Sequence, residues 1–460
     1  MNATARDKVV EGPIAKSLLS LSWPVLVVLA LQTLVGLAET YFVSFLGTDA
    51  LAGVALVFPL FMLMTMMSNG GIGGGVSSAV ARALGAGRMK DAEALAMHAV
   101  VVGLVFGALF AIGAWLGGPA LFRRMGAEGE TLATAILYSN VVFLAAIPGW
   151  VANLLAAALR GTGNVRVPAI VTAAGSLITL LLSPLFIFGW GWVPPMGVAG
   201  AGAALVCFNL GSATVLALYM RSGSTRIRVT RTRLQWRLLN DILRVGLLSA
   251  VGTVVANLTV VITTALIGGH GREAIAGYGL ASRLDYLLIP LLFALGTASV
   301  TMVGTSIGAG QPVRARKIAW TGALLSTLPT AAIGCAAALF PGAWIHLFSH
   351  DPGVVEAGSA YLARVAPFYA LFGAGMSLYF SSQGAGRMLW PFSAGMLRLC
   401  VVAIGGSYWL NGLHGSLNGL YWIVAAGYLV FGAVNLLALA SGLSWARLTP
   451  IGGGIRHAGR

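Results

Sequence analysis

The chain has 460 residues, 58% of them hydrophobic and only 9% charged, and its mean hydropathy is +0.88. That composition excludes a soluble globular protein and defines a polytopic membrane protein with about a dozen spans of roughly 20 residues. The net charge of +15 does not point to nucleic acid, because the Lys and Arg lie in short connections rather than in a soluble basic domain. Membrane lipid, not nucleic acid, is the expected surrounding.

The opening residues, MNATARDKVVEGP, carry charge of both signs and no cleavage-site pattern, so they read as a cytoplasmic tail. Apolar runs then predict helices over 14–46, 50–84, 92–117, 131–158, 165–189 and 197–221, followed by 238–267, 273–307, 314–340, 354–382, 388–411 and 415–443. Alternate connections collect the cations. They hold Arg6, Lys8 and Lys16; Arg88 and Lys90; Arg160 and Arg166; Arg226, Arg228, Arg231, Arg233 and Arg237; Arg314, Arg316 and Lys317; Arg387; and Arg447, Arg456 and Arg460. The positive-inside rule therefore expects both termini in the cytoplasm. Cys207, Cys335 and Cys400 are scattered in apolar segments, which gives neither a disulfide framework nor a zinc site.

The chain repeats itself. LGAGRMKDA (84–92) returns as IGAGQPVRA (307–315), and RGTGNVRVP (160–168) as QGAGRMLWP (383–391), both displaced by 223; Tyr138 and Tyr361 keep that displacement. ALAG (50–53) returns as AIAG (274–277), displaced by 224. Six crossings return a chain to its starting side, so the expected fold is all-α, with two six-helix bundles related by a pseudo-two-fold axis along the membrane normal. The expected parts are an N-terminal lobe (1–220), a basic cytoplasmic linker (221–237) and a C-terminal lobe (238–460). Two bundles facing each other suit alternating access rather than a pore.

By these spans eleven of the thirteen acidic residues fall in tails, loops or helix ends, leaving Glu39 and Asp285 at membrane depth. A charge there costs at least about 2.5 kcal/mol on insertion scales, so such groups face a bundle interior or an aqueous cavity and are candidates for function. Glu39 shares a helical face with Gln32 and Gly36, and Pro24 is expected to kink the same helix. A carboxyl that is neutral when sealed from water and ionised when exposed can carry a proton. The alternative is a glutamate held permanently by hydrogen bonds for packing. Asp285 is the second ion-coupling candidate, and Arg283, two residues away, lies on a different side of its helix.

The fifth helix places Ser176, Thr179 and Ser183 on one face. Together with Gln32, Tyr138, Asn153 and Asn209, Thr179 and Ser183 are expected to form a polar pocket around Glu39, although such hydroxyls also back-bond to their own helix. Met62, Met64, Met66 and Met67 precede the run SNGGIGGGVSS (68–78). Met62 and Met66, with Arg283, are candidates for lining a substrate cavity. The glycine run lacks a GKS or GKT ending, so it reads as a place of close helix contact or bending rather than a phosphate loop. No catalytic constellation or metal set is visible and no cofactor is expected, which leaves an ion gradient as the energy source.

These residues resemble those of the multidrug and toxic compound extrusion (MATE) transporters over nearly the whole chain. The resemblance rests on Pro24, Gln32, the acid at 39, LG at 46–47 and ALAG at 50–53. It continues in LGAGRMKDA with its counterpart, in RGTGN, and in SPLFIFGWG followed by GVAGAGAA. It implies export of organic, often cationic and aromatic compounds against entering protons or sodium, with Glu39 in the place of the family's first-helix acid, and a monomer as the working unit. The family's fifth helix often carries Asn and Asp where this chain has Thr179 and Ser183, and Leu205 stands where sodium-binding members have Thr. That loss of oxygen ligands implies the proton as coupling ion, with sodium the lesser candidate. The competing reading is a flippase for a lipid or lipid-linked precursor, suggested by Arg364 and Arg398; a major-facilitator protein or membrane enzyme fits less well.

Overall fold

The computed structural model describes residues 12–230 and 232–445. Arg6, Lys8, Arg231, Arg447, Arg456 and Arg460, and with them the expected side of both termini, lie outside the described residues. Inside a bilayer no water is available to the backbone, so each peptide group must be satisfied within its own helix. The described chain is accordingly helical without strands, apart from an isolated bridge between Trp190 and Val193 in a turn.

The first six helices are α1 (Ile14–Ser44), α2 (Thr48–Gly85), α3 (Met89–Arg124), α4 (Gly129–Leu144 with Ala146–Gly161), α5 (Arg166–Phe188) and α6 (Val198–Arg221). The second six are α7 (Trp236–Gly268), α8 (Arg272–Gly308), α9 (Pro312–Leu339), α10 (Pro352–Val365 with Tyr369–Gly384), α11 (Leu389–Gly412) and α12 (Leu417–Ala440). Among the described residues, ten helices are long and apolar enough by themselves to cross a membrane, and the bent pair forming α4 makes an eleventh. The twelfth is α10, whose two segments are joined by a short tight turn at Ala366–Phe368.

Three predicted elements differ in detail. α3 continues past the expected stop at 117, through Pro119, to Arg123 and Arg124, because a membrane helix tolerates proline. α4 bends by 43°, where Pro148 has no N–H for the carbonyl of Leu144. α10 breaks at the corresponding place in the second half, beside Pro367. α1, by contrast, runs as one helix through Pro24.

The halves exchange the beginnings of their first helices. Leu18 of α1 is fully buried among Ala298, Met302, Ile318 and Ala319 of the second half. Ile242 of α7, 224 positions later, is fully buried in the core of the first half. The far end of α1 returns to its own half, where Val43 packs with Ala50, Ile187 and Val198. α1 therefore bridges both halves.

The glycine run of α2 both bends and lets helices approach. It includes a wide turn at Met67–Ile72, and beyond it a Cβ on Gly75 would stand 2.6 Å from the carbonyl oxygen of Ile242. The part of α2 after this turn packs closely on α7, α8 and α10, while the part before it barely touches the second half. Side chains lock that junction. Arg82 pairs with Asp241 of α7 at 2.7 Å and also contacts Ser78, Ser78 donates to the Gln383 carbonyl at 2.5 Å, and Gln383 donates to Ser249 at 2.8 Å and to the Gly70 carbonyl at 3.0 Å.

The linker is tied down as well. Buried His98 accepts the Gln235 backbone N–H at 2.8 Å through Nε2, its Nδ1 lying 2.7 Å from the Ala94 carbonyl. Arg237 grips Asp91 with two bonds, at 2.8 and 3.2 Å.

Candidate functional site: a cleft and two buried acids

Glu39 occupies the inward stripe of α1, one turn from buried Val35 and one turn from buried Val43. Its Oε1 is buried without a hydrogen-bond partner among the described residues. Tyr138 of α4 packs into the cluster around Val43 and lies within electrostatic reach of the carboxylate. No hydrogen bond joins the two among the described residues.

The rest of the expected pocket divides. Gln32 lies two turns from Glu39, a rise of about 10 Å, and lines a cleft instead, together with Asn153 and Asn209. Thr179 is buried but donates back to the Gly175 carbonyl at 2.8 Å, the local bonding that such hydroxyls favour. Ser183 is buried without a partner among the described residues. No hydrogen bond among the described residues joins Gln32, Asn153, Thr179 or Asn209 to Glu39, so a single hydrogen-bonded pocket is not what the helices build.

The cleft, about 680 Å³ with its open mouth included, lies between α1, α4, α5 and α6, with Asn69 of α2 and Phe293 of α8 reaching it. Its polar groups are mostly amides. Asn153 donates to Ser68 at 2.8 Å, and Asn209 donates to the Leu205 carbonyl at 2.9 Å. Arg160, counted from sequence among the cytoplasmic cations, turns into this cleft and donates to Asn69 Oδ1 at 2.8 Å. Sequence position placed it at a helix end, as found, but said nothing of its direction.

The second acid is differently held. Asp285 Oδ2 accepts from Tyr361 at 2.8 Å and from Tyr428 at 3.1 Å, and the Tyr369 hydroxyl lies close without reaching hydrogen-bond geometry. Arg398 stacks over Tyr428, 4.4 Å from the ring centre, and over Phe372 at 5.5 Å. Sequence reasoning did not find this tyrosine cage, although the repeat of Tyr138 as Tyr361 was a signal: both tyrosines attend an acid. The acids themselves are not repeat equivalents, since Asp285 less 223 falls on Met62.

The remaining candidates lie elsewhere. Arg283 points away from Asp285 and sits 5.7 Å from the Phe348 ring centre. Met66 is exposed, with its sulfur 4.0 Å from Asn257 of α7, and neither it nor half-buried Met62 lines the cleft. Arg364 is spent on its own helix, donating to the Ala360 carbonyl.

Twelve helices in two repeated halves, with a cleft in the first half that Phe293 of the second half reaches and an intramembrane acid in each half, define a transporter rather than an enzyme. The chain belongs to the MatE family, the multidrug and toxic compound extrusion transporters, whose profile matches residues 24–185 and 249–409. The two matched stretches start 225 residues apart (249 − 24) and end 224 apart (409 − 185), in agreement with the internal repeat.

Among its relatives, the chain is 28% identical to the FAD transporter of Shewanella oneidensis over 377 residues, covering 80% of this chain and 82% of that one. It is 26% identical over 426 residues to the Probable multidrug resistance protein NorM of Thermotoga maritima, covering 91% of each. It also superposes on a solved multidrug resistance MATE transporter of the MOP superfamily in an outward-facing conformation. That match has a TM-score of 0.86 and 25% identity, and covers 95% of this chain and 97% of the other.

Proposed function

We propose that this protein exports small organic compounds across a bacterial cytoplasmic membrane in exchange for protons, with Glu39 as the carboxylate that takes up the proton. The observation that carries the assignment is the contrast between the two acids. Each acid keeps one buried oxygen without a partner, Oδ1 of Asp285 and Oε1 of Glu39, but Asp285 accepts two hydroxyls on Oδ2 while no hydrogen bond among the described residues reaches either oxygen of Glu39. A carboxylate so placed gains most from protonation when the site is sealed. Sodium is the weaker candidate because it needs several oxygen ligands, and Thr179 is committed to its own helix. Asp285, caged by tyrosines, is assigned to holding α8 against α10 and α12.

In this reading the lobes alternate about the cleft as a monomer, and the state seen is closed where α2 meets α7, α8 and α10, at the end that the charge rule assigns to the cytoplasm. Protonation and substrate binding each favour a different conformation, and that linkage is what exchange requires. The flippase reading loses support at Arg364, which is engaged by a carbonyl of its own helix, while Arg398 stacks on aromatic rings with its Nε unpartnered among the described residues. The test is transport in vesicles with imposed pH or sodium gradients, comparing the native protein with Glu39→Gln. Export driven by a pH gradient and lost in the variant is the expected result. Undiminished proton-driven export by the variant, or stimulation by sodium alone, would overturn the assignment.

A further inference from the structure

Proton coupling leaves one charge of the cleft unused. Arg160 closes the second segment of α4, and its guanidinium faces both the cleft and an adjoining narrower recess, with Asn69 and Phe293 beside it in each. Among the described residues the ion pairs are Arg82 with Asp241, and Asp91 with Arg88 and Arg237. Arg160 has no carboxylate partner among them. Its side-chain hydrogen bond goes to the neutral amide of Asn69, and its backbone carbonyl accepts from Thr301 of α8 at 2.9 Å, which fixes the helix end while leaving N–H groups of the guanidinium to the cleft.

A desolvated cation without a counter-charge is costly, and an arriving anion offsets that cost while an arriving cation adds to it. Guanidinium also matches a carboxylate or phosphate with two parallel bonds. The rest of the lining suits a ring system with polar substituents. Phe208 and Phe293 offer aromatic faces, and Gln32, Asn153 and Asn209 offer amides. Arg160 is the charged side chain among the described residues lining this cleft, while Glu39 and Asp285 lie outside its lining.

We infer that the cleft binds organic anions: aromatic compounds bearing a carboxylate or phosphate that pairs with Arg160. The inference deepens the antiport reading and depends on it for the direction of transport, but not for binding. It departs from the cationic compounds that the family resemblance implies.

The test uses the purified full-length protein in phosphatidylcholine nanodiscs, with riboflavin and flavin mononucleotide as probes. They share a ring system and differ by one phosphate. Fluorescence quenching is expected to show flavin mononucleotide binding about tenfold or more tightly than riboflavin, as a charge-assisted hydrogen bond provides, with the preference weakened by salt. Arg160→Gln should remove the preference, and Arg160→Lys should restore part of it.

Equal affinities in the native protein, or no binding of the mononucleotide, would overturn the inference without needing a variant. A Gln variant that weakens both flavins equally would also overturn it, by making Arg160 a positioning residue. Loss of the preference when phosphatidylglycerol is added to the nanodiscs would assign the anion site to a lipid headgroup and overturn the substrate reading. If ethidium export remains proton-driven while the flavin preference is absent, this inference alone fails. If export ignores the pH gradient while the preference holds, the antiport reading alone fails.

Discussion

Gly85 of α2 and Gly308 of α8 face each other's helices across the pseudo-two-fold axis. A Cβ on Gly85 would lie 2.1 Å from the Thr305 carbonyl oxygen, and a Cβ on Gly308 would lie 2.1 Å from the Arg82 carbonyl oxygen. The four residues form two repeat pairs, since 308 − 85 and 305 − 82 are both 223. The repeated LGAG and IGAG turns are thus two sides of one clasp, made by backbones that only glycine lets approach so closely.

Gly85→Ala and Gly308→Ala are each expected to open this clasp. Overpacking against backbone costs about 2 kcal/mol, enough to shift a two-state equilibrium about thirtyfold. Spin labels on α2 and α8 at that end, read by double electron–electron resonance, should report a longer distance in each variant. An unchanged distance distribution would show that the clasp does not hold the closed state.

Arg82 adds polar bonds to the same closure, with Asp241 and with the Gly384 carbonyl at 3.3 Å. Asp241 is partly exposed, so Asp241→Asn should weaken closure by no more than about 1 kcal/mol. Arg82→Ala should weaken it further, because the Gly384 contact goes too. The same distance measurement ranks the two variants, and the reverse order would contradict the geometry.

Glu39→Asp keeps a carboxyl but shortens its reach by one methylene. Proton-driven export should persist at a reduced rate, while Glu39→Gln loses it. An aspartate variant as inactive as the glutamine variant would show that position, and not titration, is what export needs. Vesicle transport under an imposed pH gradient checks both.

Tyr361→Phe and Tyr428→Phe each remove one hydroxyl from Asp285. A hydrogen bond to a charged group contributes about 1.5–3 kcal/mol, so each variant should lower the melting temperature in a thermal-shift assay. The double variant should lose more than the sum, because hydroxyls that share one oxygen weaken each other and the one left in each single variant compensates. Fully additive losses would mean that the two bonds act independently.

His98→Leu leaves the Gln235 N–H without its acceptor, and since Gln235 is exposed the loss is that of an ordinary hydrogen bond, about 0.5–1.5 kcal/mol. The linker should then become more accessible to protease between α6 and α7. Cleavage rates equal to those of the native protein would rule out His98 as its anchor.

Much of the site was legible before the fold was known, and the residues show where legibility ended. Glu39 and Asp285 stood out because charge at membrane depth is expensive whatever the tertiary arrangement. Thr179 and Asn209 did not reach Glu39 because shared helical faces say which side a residue takes and nothing about the partner helix. The direction of Arg160 was not legible for a related reason. Positive charge at a helix end identifies a side of the membrane, but a long side chain there turns either to water or to a cleft.

By itself the sequence determined the membrane setting, the helices and the two-fold repeat, because hydrophobic length, backbone satisfaction and internal similarity are properties read along the chain. Only the tertiary structure decided that α1 and α7 begin in each other's halves, that Asp285 sits in a tyrosine cage, and that Arg160 faces the cleft. Those outcomes depend on which faces of distant helices meet, and packing settles them only when all twelve are assembled.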